Sequence, residues 1–177
     1  MLFRSLNLSG EIDWDAAVDF RITLAHEFQH LVNFSQTYIR GGGKLQDTWI
    51  NEGLSAGAEY VYQGGQNDWK IDWYNSDPDG LIKNGVNFVA WDNLLDNYST
   101  VYLFFQWLRI QASNGTGIYR DSLTSSYSDY RAVSDAAAAR MYSGAWSEFL
   151  RDWFLANALN MPLSAAAGLL KYGYKGE

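Results

Sequence analysis

The sequence predicts one mainly α domain with a short strand region at its N-terminus, an α+β chain dominated by helix. Three observations carry this. Apolar residues make up 47% and aromatics 16% of 177 residues, enough to bury a sizeable core. Long stretches lack both glycine and proline and repeat their apolar residues at helical spacing. Only "LFRSLNL" (2–8) alternates as a strand does.

The elements follow in order. "LFRSLNL" suits a short edge strand, on which an extended peptide could pair. "SGEIDWD" is turn-like, with Asp13 or Asp15 placed to cap a helix. Residues 16–39 fit one long helix, along which Phe20, Leu24, Phe28, Leu31 and Phe34 recur at helical spacing. "RGGGK" (40–44) ends it, and a second helix fits 48–62, closed by Gly64 and Gly65. Residues 66–85 read as loop, with "NSDPDG" and "NG" as turn signals. A central helix fits 99–113, and shorter ones fit 117–126 and 131–142. The last, 145–159, has Trp146, Phe149, Leu150, Trp153 and Phe154 on one face. The whole reads as one domain over 1–177, its first half (1–64) holding a candidate metal site and its second (65–177) the remaining helices. The strand-like start and the end in "KYGYKGE" suggest a piece of a longer protein.

Composition narrows the function. A net charge of −7 and the lack of basic runs argue against nucleic acid and against an anionic membrane surface. The absence of cysteine removes disulfides, thiolate zinc ligands and a cysteine nucleophile. No apolar run is long enough to span a bilayer.

The two histidines of the chain, His26 and His30, stand four residues apart in "AHEFQH". On a helix such residues share a face, about 6 Å apart along the axis. Two imidazoles so placed can hold one small cation, and zinc is the expected ion. Glu27 points roughly 100° away, so it is poorly placed to ligate the same ion but can reach a water beside it as a general base. A catalytic zinc needs a third protein ligand, which here must be Asp or Glu. A third histidine six residues on is excluded, because Gln36 stands there and Asn33 replaces the glycine that accompanies it. Glu52, 22 residues after His30, is the best placed, with Asp47 and Glu59 as rivals. Glu59 is also two turns along from Glu52 and could accept the other ring N–H of a ligating histidine. Asn51 could orient Glu52 or substrate. With both histidines used, an oxyanion donor has to be a tyrosine. "NSDPDG" offers Asn75, Asp77 and Asp79 at alternating positions, but Pro78 interrupts it and Val86 stands where a bidentate glutamate should, so calcium is not expected.

"TLAHEFQHLVNF" followed by "DTWINEGLSAGAEY" resembles the gluzincin metallopeptidases, most closely their hyicolysin-type branch. "NYSTVYLFFQWL" resembles a later segment of that group, with Ser99 where glycine is usual, and "FLRDWFLANALN" resembles its late helix. The likeness runs over most of residues 22–160, with only the two ligand segments specific. It implies a zincin-like catalytic domain of a zinc endopeptidase acting on protein or peptide, with His26, His30 and Glu52 as ligands and Glu27 as base. Tyr98 is then the first choice for oxyanion donor and Tyr102 the second. It also implies a bacterial protein at the cell surface or outside the cell. The alternatives are an aminopeptidase of the same architecture, whose usual G-x-M-E-N segment is missing here, and a zinc- or peptide-binding module without turnover.

Overall fold

The computed structural model describes residues 14–141 and 145–177, with side chains from Val18 onward. The expected strand 2–8 and the capping Asp13 lie outside the described residues, as does the side chain of Asp15. The described part is built from helices, with no strand: α1 (Trp14–Phe34), α2 (Thr48–Gln63), α3 (Asp68–Ser76), α4 (Leu95–Gln111), α5 (Gly117–Leu123), α6 (Tyr130–Arg140) and α7 (Trp146–Leu159). A π-helical turn, Ser35–Ile39, prolongs α1, and a 3₁₀ turn, Ala167–Tyr172, follows α7.

α4 is the hub, packing against α2, α3 and α5. Val101, Phe104, Phe105, Trp107 and Leu108 are buried along it. The Phe104 ring lies 5.3 Å from those of Phe88 and Trp153 and 5.8 Å from that of Trp146, while Trp49 of α2 closes the cluster 5.7 Å from Phe88. Such edge-on and tilted aromatic pairs add to the burial of large apolar area. α2 sits close against α4 because Gly53 has no side chain: a Cβ there would fall on the ring of Phe105. The first α1–α2 connection turns through Gly42 and Gly43, both at positive φ, which glycine adopts without a Cβ clash. Asn33 and Gln46 stitch the same connection inward, Asn33 donating to Gln46 and Gln46 to the Ser122 carbonyl.

Four expectations are corrected. Residues 68–76 are helical rather than loop; the segment "DWKIDWYNS" has no clean apolar stripe because its buried residue is a lysine, Lys70. α4 begins at Leu95 rather than 99, since Asn97 Oδ1 accepts the backbone N–H groups of Asp92 and Leu94 and secures an extra first turn. Phe154 does not share the buried face of α7 with Phe149 and Trp153 but is mostly exposed. Finally, the apolar row that makes α1 legible faces solvent: Phe28 is 64% and Leu31 66% exposed. α1 instead turns Ala25, His26, Gln29, His30 and Asn33 inward.

Candidate metal centre

α2 has two faces with different tasks. Trp49, Ile50, Gly53, Leu54 and Gly57 are buried, Trp49 joining the aromatic cluster and Gly53 and Gly57 lying against rings of α4 and α5. Glu52, Ser55 and Glu59, at i, i+3 and i+7, share the other face and meet α1. His26 pairs with Glu59 and His30 with Ser55, so the helices run antiparallel and the histidine spacing of one matches the polar spacing of the other.

Each imidazole is fixed through its Nδ1. Glu59 Oε1 lies 2.6 Å from His26 Nδ1 and accepts its N–H. Ser55 donates its hydroxyl to Gln29 Oε1 at 3.0 Å, so its oxygen is left to accept from His30 Nδ1 at 3.1 Å. Both rings therefore keep Nε2 for other work. The two Nε2 atoms converge on Glu52: His26 Nε2 is 3.2 Å from Oε2, and His30 Nε2 is 3.7 Å from Oε1. Donors about 2.0–2.1 Å from a tetrahedral zinc stand roughly 3.3–3.4 Å apart, a value that the two distances to Glu52 bracket. Glu52 Oε2 is buried and accepts no hydrogen bond. A buried, unpaired carboxylate oxygen facing an imidazole lone pair requires a positive species between them, so the residues present fit a zinc ion. Without metal, that species is a proton. Burial pushes the His26 imidazolium down, but the hydrogen bonds to Glu52 and Glu59 outweigh it and hold the group up at about 9.

Glu27 also brings a carboxylate oxygen within 4.8 Å of ring nitrogens of His26 and His30, but it is exposed and lies on a different side of α1. Of the rival ligands, Asp47 is exposed at the start of α2, and Glu59 has both oxygens occupied, by His26 on one side and by Lys70 and Asn67 on the other. Asn51 has a buried, unpaired Oδ1. The residues of "NSDPDG" serve their own loop: Asp77 accepts the backbone N–H groups of Ile82 and Lys83, and Asp79 that of Leu81.

The tyrosines part company. Tyr98 lines a cleft of about 540 Å³ together with His26, Glu27 and Glu59. Its hydroxyl donates to Asn93 at 2.8 Å, its ring stands edge-on to Trp91, and burial with the charges of Glu52 and Glu27 keeps the phenol protonated. Tyr102 is buried behind the site. It donates to Gln66 Oε1 at 2.6 Å and accepts from Asn67 N–H at 2.7 Å, and being fully buried it is shielded from substrate. Sequence reasoning missed Ser55, Gln29, Asn67 and Lys70. The i+3 and i+7 spacing from Glu52 is the one signal that could have found Ser55.

No protein-family profile matches the chain. The neutral metalloprotease ShpI of Staphylococcus hyicus is 32% identical over 118 residues, which cover 64% of this chain and 26% of that protein. The match thus spans about a quarter of the relative's length. Among the described residues no helix is long and apolar enough to cross a membrane. The match relates the chain to a metalloprotease.

Proposed function

We propose that the chain is the metal-binding part of a zinc-dependent endopeptidase of the gluzincin type, with His26, His30 and Glu52 as ligands. The observation that carries this is the convergence of both imidazole Nε2 atoms on the Glu52 carboxylate, whose Oε2 is buried with no hydrogen-bond donor. The match to a metalloprotease supports it.

When bound, zinc polarises the scissile carbonyl and acidifies the attacking water. Glu27, exposed at the cleft edge, takes the proton of that water and passes it to the leaving amine. Tyr98, held in its phenol form, turns its proton from Asn93 to the carbonyl oxygen as negative charge builds there. Glu59 and Ser55 hold the imidazoles in the tautomer that presents Nε2. An extended peptide would lie along the cleft past Ile22, Trp69 and Leu95.

The test is zinc content together with cleavage of a mixed, internally quenched peptide pool, for wild type and Glu27→Gln. Wild type should hold about one zinc and cleave, whereas the variant should hold zinc and lose turnover. Zinc binding without cleavage by either protein would leave a metal-binding module, and no zinc in either would refute the ligand set.

A further inference from the structure

We infer that Lys70 is a positioning residue of the metal centre, acting through Glu59. The inference rests on the zinc reading above but concerns a residue on α3, outside the two motif segments. Lys70 is 2% exposed, the most buried cation among the described residues. Its ammonium lies 2.7 Å from Glu59 Oε2, and Asn67 Nδ2 donates to the same oxygen at 2.7 Å. The other oxygen, Oε1, faces His26 Nδ1. One carboxylate therefore joins a ligand of α1 to two donors from α3 and the turn before it.

A lone buried carboxylate beside His26 would be poorly solvated and free to turn. Two charge-assisted or amide hydrogen bonds to Oε2 leave Oε1 a single direction, toward the imidazole. The donors are fixed in turn. Tyr102 of α4 accepts the Asn67 N–H and donates to Gln66, which clamps the start of α3, and the Lys70 ammonium lies 5.4 Å from the centre of the Tyr102 ring. The chain of contacts runs from α4 through α3 and Glu59 to His26, and it sets the direction of His26 Nε2 from the back. A lysine that served only to fill space would need no such pairing, and its buried charge would be a liability.

The experiment measures the zinc dissociation constant by chelator competition in wild type, Lys70→Met, Glu59→Gln and the double variant. Losing a partner of this kind weakens metal binding by about 10–100-fold. Lys70→Met should weaken zinc by about tenfold or more, and in the Glu59→Gln background it should change nothing further, because Lys70 acts only through Glu59. Zinc binding by Lys70→Met within twofold of wild type would overturn the inference, as would a loss that simply adds to that of Glu59→Gln. If Lys70→Met does not fold because Glu59 is stranded, Lys70→Gln, a neutral side chain of similar length that keeps an N–H donor, takes its place and is read by the same two outcomes. Wild type that binds no zinc would instead overturn the metal reading itself, and this inference with it.

Discussion

Gly53→Ala tests whether the close approach of α2 to α4 sets the metal triangle. The added Cβ would meet three carbons of the Phe105 ring, and even the farthest, Cζ, would stand 2.8 Å away. A relaxed carbon contact is about 3.5 Å, so α2 and the ring must separate by at least about 0.7 Å. The ring has little room to yield, being 1% exposed and hemmed by Trp49, Phe104 and Tyr119. Overpacking of this kind destabilises by about 1–3 kcal/mol, partly offset by roughly 0.5–1 kcal/mol from replacing a helical glycine. The net expectation is a loss of up to about 2.5 kcal/mol, read as a melting temperature lower by up to about 10 °C. Glu52 is the adjacent residue, so its displacement relative to α1 should weaken zinc binding as well. Thermal melts followed by circular dichroism and chelator competition measure the two effects. A variant that melts at or above wild type and binds zinc equally would refute the account of how α2 is placed.

Tyr98→Phe should lower kcat by about 10²–10³-fold with zinc affinity intact, while Tyr102→Phe should instead lower stability by about 1–3 kcal/mol, since it strands Asn67 N–H and Gln66. Steady-state kinetics beside urea melts separate the two, and the reverse pattern would exchange their roles. Ser55→Ala removes the acceptor of His30 Nδ1–H and should weaken zinc by about tenfold; unchanged affinity would mean that the hydroxyl does not fix that ring. The metal-free protein should lose stability with rising pH. His26 is held at about 9 against 6.5 when unfolded, so its contribution is complete below pH 6.5 and fades as pH climbs through 9. The full amount is about 3 kcal/mol at 1.36 kcal/mol per pKa unit. Chelator-treated melts at pH 6 and pH 9.5 measure it, and His26→Gln should flatten the slope.

The helices bearing the motif were legible because both periodicity and punctuation agree there. The spacing predicts one helix over 16–39, and the chain is helical from Trp14 through the π turn; α2 differs from its expected end by one residue. The site was legible in its residue types, since the spacing of His26, Glu27 and His30 has few other physical uses. What stayed hidden depends on tertiary contact. α3 forms around a buried lysine whose partner is 11 residues earlier, a pattern that hydrophobic periodicity cannot register. Tyr98 and Tyr102 sit one turn apart and look alike in sequence, yet the packing of the Gln66–Asn67 turn over Tyr102 decides which hydroxyl is buried. The inward face of α1 is hidden for a related reason: its polar residues are buried by their partners on α2.

That inverted face has a consequence for the protein as a colloid. α1 turns its imidazoles and amides inward and carries Leu24, Phe28, Leu31 and Phe34 on its outside. In dilute buffer the seven excess negative charges keep such molecules apart, but at 0.1 M salt their repulsion reaches only about 10 Å. Added salt should then promote self-association rather than solubility, and sulfate should do so more strongly than chloride, because it favours apolar burial as well as screening charge.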